Sequence, residues 1–148
     1  MTGVAGRCPP TEDDLAYHLT TLFPPVRPRG YVEIRCIDAL PDRWWPAVAA
    51  LTATLVDDQV AADLAAELCA PAADDWEAAA RSGTAEPPVR RAVLGCLDVA
   101  ARRCPPALKV EVEELAELFD SGATPSGEVR RRVEAVGPLR AFEEEARA

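Results

Sequence analysis

The sequence has little histidine, few aromatic residues and no excess of basic charge. One histidine, His18, and the lack of any C-x-x-C pair exclude the usual zinc spacings. A formal net charge of −9 argues against a generic binder of nucleic acid or anionic membranes, because both need a basic face. No apolar run approaches the roughly 20 residues of a membrane span. Residues 1–10 also show no secretory signal, so a cytoplasmic protein is the default expectation.

The cysteines are odd in number and widely spread, which does not fit a disulfide framework. We therefore expect reduced, structural thiols that are mostly buried. They are Cys8, Cys36, Cys69, Cys96 and Cys104.

What the sequence does contain is enough apolar surface for one domain and many alanine pairs that favour helix. After Pro41 the apolar residues recur at helical spacing, with Asp42 as a plausible N-cap of the first helix. A second helix is expected over about Gln59 to Cys69, with Leu64 and Leu68 facing inward.

Further helices are expected over residues 74–81, 89–100, 108–119 and 129–136, the last split or kinked by the Gly137-Pro138 pair.

The first forty residues predict strands. Residues 17–23 (YHLTTLF) are rich in β-branched and aromatic types and indicate a short strand or its edge. Pro24, Pro25 and Pro28 then predict a stiff, extended connection. Residues 31–38 (YVEIRCID) alternate in polarity and form the clearest strand, since side chains switch faces at every residue.

The pattern as a whole predicts an α+β fold, with one or two N-terminal strands of a larger antiparallel sheet followed by about five helices. We expect residues 1–10 to be flexible and 11–148 to form the structured part. An isolated strand needs neighbours, so the rest of the sheet should come from a missing N-terminal half or a companion chain.

Tyr31, Glu33 and Arg35 share one face of the predicted strand, while Val32, Ile34 and Cys36 share the other. The charged face has two readings, a solvated surface with a local ion pair or a polar cleft. In a cleft, the Glu33 carboxylate could bind a divalent cation and the arginines could bind phosphate or carboxylate groups. That combination suits phosphoryl transfer.

The segment from Tyr17 to Arg35, YHLTTLFPPVRPRGYVEIR, resembles the bacterial and plant glutamate–cysteine ligases, and most of all the actinobacterial branch associated with ergothioneine biosynthesis. The HLTT-x-FP-x-VR run joined to Y-x-E-x-R carries the resemblance over about twenty residues. It implies the C-terminal part of a glutamine-synthetase-like ligase that uses ATP and Mg²⁺. Such a ligase phosphorylates the γ-carboxylate of glutamate, and the cysteine amine attacks the acyl phosphate to give γ-glutamylcysteine.

The resemblance also implies roles for residues of the motif. Glu33 would coordinate magnesium at the ATP phosphates, and Arg35 would contact the transferred phosphoryl group. Arg27 and Arg29 would hold a substrate carboxylate, and Tyr31 would support the site.

By the same resemblance, Thr20 and Thr21 would line the substrate pocket through their hydroxyls, whereas His18 is more typical of a structural histidine. The acidic residues 12–14 and 111–114 are interpreted as a frayed start and a solvated helix face.

The sequence departs from the family in length, because most of the sheet, the other acidic magnesium ligands and much of the nucleotide pocket would precede this segment. We therefore expect the chain alone to be inactive. The alternative is a non-catalytic helical interaction module descended from the ligase, which binds a partner through its unpaired strand edge.

Overall fold

A computed structural model describes residues 9–147 of the chain. The chain divides into two compact units, Met1–Ala39 and Leu40–Ala148. The segment expected to be flexible, residues 1–10, lies outside the described residues except for Pro9 and Pro10, and that expectation stays a prediction.

The first element of the N-terminal unit is a helix, α1 (Glu12–Thr21), and not the strand predicted over residues 17–23. Thr11 and Asp14 form a capping box: the Asp14 amide donates to the Thr11 hydroxyl at 3.1 Å, and the Thr11 amide donates to the Asp14 carboxylate at 2.8 Å. Three acidic residues in the first turn also match the positive end of the helix dipole. The capping box and the favourable helix dipole outweigh the β-propensity of residues 17–23. They also order the start of the helix, so the predicted frayed start at residues 12–14 is wrong.

The N-terminal unit continues into an antiparallel hairpin of β1 (Val26–Pro28) and β2 (Val32–Ile34). The predicted connection through the prolines is thus itself a strand. Gly30, with φ of +79°, permits the tight turn between the strands. The ladder is shorter than the predicted strand over residues 31–38, because Pro25 before β1 and Pro28 at its end have no N–H to donate.

The C-terminal unit is helical. Its α-helices are α2 (Trp45–Asp57), α3 (Gln59–Cys69), α4 (Trp76–Ser82), α5 (Pro87–Arg103), α6 (Lys109–Asp120), α7 (Pro125–Val136) and α8 (Pro138–Glu145). Short 3-10 turns lie at Ala70–Ala72, Gly83–Ala85 and Pro106–Leu108. The described part of this unit therefore has seven α-helices, more than the overall count of about five, although the short α4 and the division of the last helix at Gly137 were both expected. The α+β class itself is confirmed.

Helix α5 is the central element of the C-terminal unit and packs against α2, α3 and α6. The core it helps to form consists of Trp44, Ala47, Ala50, Leu97, Ala100, Cys104, Val112 and Leu115. Arg90 of α5 donates to the carbonyls of Phe119 and Asp120 at 2.8 and 2.7 Å, which satisfies acceptors that the end of α6 leaves free.

Two predictions about the early helices are wrong in detail. The N-cap position of α2 is Trp44 and not Asp42, whose backbone amide instead donates to Glu145 at 3.3 Å. In α3, Ala61 is the fully buried residue, Leu64 is exposed, and Leu68 is partly exposed although its side chain faces Gly95 of α5 as predicted. The close contacts of α3 are therefore made at small residues, its own Ala61 and Gly95 of α5.

The cysteines are also less buried than predicted. Cys104 is buried and Cys96 is half-buried, but Cys36 and Cys69 are exposed, and Cys8 lies outside the described residues. Cys36 lies two residues beyond β2, and Cys69 is the last residue of α3, so both thiols lie at the ends of their elements.

Each of the helices α1 to α8 lies in the described part of the chain, and none combines the length and apolarity that a bilayer crossing requires.

Candidate functional site

The hairpin of the N-terminal unit places Arg27 directly opposite Glu33 in the strand register. The Nε of Arg27 donates to Oε2 of Glu33 at 2.8 Å, and its Nη2 reaches Oε1 at 3.4 Å. Cross-strand neighbours on one face lie close enough for direct contact, so the register determines this pair. The predicted charged face is therefore an ion-pair cluster centred on Glu33.

Two further guanidinium groups approach the same carboxylate. The Nε of Arg29 is 3.9 Å from Oε2 of Glu33, and the Nε of Arg35 is 3.8 Å from Oε1. Arg35 also stacks over the ring of Phe23, with 4.9 Å from Cζ to the ring centroid, and its buried Nη1 has no hydrogen-bond partner among the described residues. One donor of Arg35 is thus unpaired within the described residues.

Glu33 is outnumbered by the arginines around it. The hydrogen bond from Arg27, assisted by the nearby charges of Arg35 and Arg29, lowers the pKa of the Glu33 carboxyl below its ordinary value. Three permanently charged guanidinium groups face one carboxylate, which leaves a net positive site despite the acidic chain. Such a site favours an anion with several oxygens, such as a phosphate or a carboxylate.

A groove of about 620 Å³ lies beside the cluster within the N-terminal unit. It is lined by Leu19, Thr20, Leu22, Pro24, Arg27, Pro28 and Arg29. The groove therefore brings together three of the predicted site residues, two with cationic groups and one with a hydroxyl.

The other predicted residues have different surroundings. Thr21 is not among the groove residues, and the hydroxyls of Thr20 and Thr21 donate to the carbonyls of Tyr17 and His18, each at 2.7 Å. Their oxygens remain free only to accept. Tyr31 lies in the hairpin turn with 66% of its surface exposed.

Phe23 is a site residue of the motif to which no role was assigned from the sequence. Its ring covers Arg35 from twelve positions away, and such a contact follows from the hairpin and not from any local pattern. The available signal was its place in the HLTT-x-FP-x-VR run, directly before Pro24.

The described residues fit a magnesium ion only in part. Among residues 9–147 no group of three or more His, Cys, Asp or Glu side chains could hold a metal ion. Magnesium commonly uses one or two carboxylates together with waters and phosphate oxygens. Glu33 can supply one such ligand, and the described residues do not complete the site.

The family model for glutamate–cysteine ligase family 2 (GCS2) matches residues 2–145. The chain belongs to this family, as the resemblance in the first forty residues indicated.

Individual relatives are consistent with this assignment. The chain is 48% identical over 127 residues to the glutamate–cysteine ligase EgtA of Mycobacterium tuberculosis, which covers 86% of the chain and 29% of that protein. It is 44% identical over 144 residues to EgtA of Mycolicibacterium smegmatis, which covers 97% of the chain and 34% of that protein. The chain thus spans about a third of the length of these curated relatives. No solved structure matches the chain.

Proposed function

We propose that the chain is the C-terminal segment of an ATP-dependent glutamate–cysteine ligase that forms γ-glutamylcysteine through γ-glutamyl phosphate. The observation that carries this proposal is the cluster of Arg27, Arg29 and Arg35 around Glu33, in the motif by which the chain resembles its family. An excess of guanidinium groups beside a groove suits a reaction in which negative charge on a phosphoryl group must be neutralised. Since the reaction consumes ATP, we propose a cytoplasmic location.

The residues of the cluster receive separate roles. Arg35 contacts the transferred phosphoryl group, and its buried Nη1 without a partner is the donor that supports this role. Arg27 and Arg29, which line the groove, hold a substrate carboxylate, with Thr20 as an acceptor beside them. Glu33 supplies one oxygen ligand to Mg²⁺ at the ATP phosphates, and Tyr31 supports the site from the hairpin turn. Thr21, outside the groove lining, is kept only as a weaker contributor.

The remainder of the site lies outside this chain. A two-stranded hairpin is marginally stable alone, and one carboxylate does not make a magnesium site. We propose that residues 11–148 complete a glutamine-synthetase-like fold in which the hairpin joins a larger antiparallel sheet. The missing strands and acidic ligands come from an N-terminal half or a companion chain, so the chain alone is inactive.

A chimaera tests this proposal. In it, this chain replaces the matching 34% of the M. smegmatis relative. Formation of γ-glutamylcysteine from glutamate, cysteine and Mg-ATP is measured for the chimaera and for the chain alone. We expect activity only in the chimaera.

Two substitutions in the chimaera then test the site. Glu33→Gln and Arg35→Lys should each lower kcat by roughly a hundred- to thousand-fold, the usual cost of removing a charge-stabilising group. The matched controls are Glu77→Gln and Arg81→Lys, which alter an exposed ion pair of the C-terminal unit and should leave kcat unchanged. Near-normal turnover in both site variants would exclude Glu33 and Arg35 from the active site.

One observation favours the alternative of a non-catalytic interaction module. Helix α1 buries none of its residues, and Leu15, Tyr17 and Leu19 are all more than half exposed. These exposed apolar side chains offer a surface on which a partner can pack. An inactive chimaera that is well folded would favour this alternative over the ligase.

A further inference from the structure

Two cysteines of the C-terminal unit lie against each other. The Sγ atoms of Cys69, at the end of α3, and Cys96, in the middle of α5, are 3.7 Å apart. The two residues are 27 positions apart in sequence, so the contact is made by the packing of two helices. Paired thiols at this distance are chemically different from the isolated cysteines elsewhere in the described chain.

The packing around the pair explains why the sulfur atoms meet. Gly95, the residue before Cys96, faces Leu68, the residue before Cys69. A Cβ at position 95 would lie only 2.8 Å from Cδ2 of Leu68, so the lack of a side chain lets α3 and α5 approach closely here. This close approach is built into the helix interface and does not depend on a mobile loop.

The surroundings of the pair are asymmetric. Both line an apolar cavity of about 580 Å³, but Cys69 is exposed whereas Cys96 is half-buried. Burial, reinforced by the neighbouring Cys69, raises the pKa of the Cys96 thiol to about 12. Cys69 is therefore the thiol that reacts first with a reagent in solution, and Cys96 is the thiol that reacts second.

We propose that Cys69 and Cys96 form a reversible disulfide that links α3 to α5, by exchange with a low-molecular-weight disulfide. The Cys69 thiolate attacks one sulfur of the disulfide RSSR, which gives a mixed disulfide on Cys69 and releases one thiolate RS⁻. Cys96 loses its proton to a base in solution and attacks Sγ of Cys69, which releases the second RS⁻. Two protein thiols are oxidised and one RSSR is reduced to two RSH. The step needs no partner beyond RSSR, and it does not depend on the proposed ligase activity.

The test uses the whole chain, with oxidised glutathione as the probe and non-reducing tryptic mapping as the readout. Cleavage after arginine places Cys69 in the peptide of residues 44–81 and Cys96 in the peptide of residues 92–102. We expect a cross-linked product of these two peptides with a mass lower by two hydrogens than their sum. Closing this loop should also raise the melting temperature by an amount on the order of 10 °C, and dithiothreitol should reverse the rise.

Variants separate the roles of the two sulfurs. Cys96→Ser should stop the reaction at a glutathionyl adduct on Cys69, and Cys69→Ser should abolish both the adduct and the cross-link. Cys36→Ser, which removes an exposed thiol from the other unit, is the matched control and should retain the cross-link and the thermal shift. A wild-type chain that keeps a stable adduct on Cys69 without the cross-linked peptide would overturn the proposal.

Discussion

Asp58 and Arg103 join the start of α3 to the end of α5. Both Nε and Nη2 of Arg103 contact Oδ2 of Asp58, at 2.9 and 2.7 Å, while Oδ1 of Asp58 accepts the Ala61 amide at 3.0 Å. The same side chain thus caps one helix and holds the C-terminal end of another. The hydrogen bonds, that of Arg103 first, lower the pKa of the Asp58 carboxyl.

The lowered pKa has a consequence for acid stability. The pKa of the Asp58 carboxyl is lower in the folded than in the unfolded protein. Ionised Asp58 therefore stabilises the fold at a pH above its unfolded pKa, and this stabilisation is lost as the pH falls through its folded pKa. We expect the urea midpoint of the wild type to fall between about pH 5 and pH 3 more steeply than that of Asp58→Asn, which keeps the cap but not the charge. Asp57→Asn removes the same charge from an exposed neighbour and should follow the wild type. Identical pH profiles for wild type and Asp58→Asn would contradict the expectation.

Trp44 and Trp45 offer a matched comparison of burial. Trp44 is 2% exposed and its Nε1 donates to Glu128 at 2.8 Å, whereas Trp45 is 57% exposed. Trp44→Ala should lower the free energy of unfolding by about 3–5 kcal/mol, through lost burial and the cavity left behind. Trp45→Ala should change it by roughly 0.5 kcal/mol or less. Urea unfolding followed by circular dichroism measures both free energies of unfolding. Similar losses in the two variants would mean that Trp44 is not the core residue that its burial indicates.

Gly137 separates α7 from α8 with φ of +83° and ψ of 157°, a conformation almost restricted to glycine. No atom lies within 4 Å of a Cβ added there, so any cost of substitution comes from backbone strain alone. Gly137→Ala should lower the free energy of unfolding by about 1–3 kcal/mol. Val136→Ala, at the neighbouring exposed position, is the control and should be close to neutral. A neutral Gly137→Ala would mean that α7 and α8 join without this turn.

The two adjacent threonines test the groove in the chimaera. Only Thr20 lines it, although both hydroxyls make the same type of bond to a carbonyl of α1. Thr20→Val should raise the KM for glutamate by roughly 3–10-fold through loss of one hydrogen-bond acceptor, and Thr21→Val should not. Steady-state kinetics with the other substrates saturating separates the two. If Thr21→Val had the larger effect, the groove would not be the glutamate site.

The sequence predicted the helices of the C-terminal unit well where proline and capping residues mark their ends. Helix α3, for example, begins after Asp58 and ends before Pro71 as expected. The sequence failed at α1, because β-branched residues suggested a strand and the capping box of Thr11 and Asp14 was not recognised. It was only partly right about the inward face of α3, where Leu68 packs against Gly95 of α5 as expected but Ala61, and not Leu64, is the buried residue.

The candidate site was predicted in composition but not in pairing. Strand alternation was enough to place Glu33 and Arg35 on one face. The partnership of Glu33 with Arg27 depends on the hairpin register, which is determined by the turn at Gly30. A pairing across two strands cannot be read from the alternation of one.

Helix α1 and the hairpin bury little apolar surface. This lowers the heat capacity increment expected when the isolated chain unfolds. The heat capacity increment of unfolding follows the apolar surface newly exposed to water, at about 12–15 cal/mol/K per residue of a packed domain. Leu40–Ala148 would account for about 1.4 kcal/mol/K by this measure, and residues 9–39 would add little because most of their apolar side chains are already hydrated. The missing increment should instead appear as a negative heat capacity change when the N-terminal unit associates with the strands that we propose to cover it.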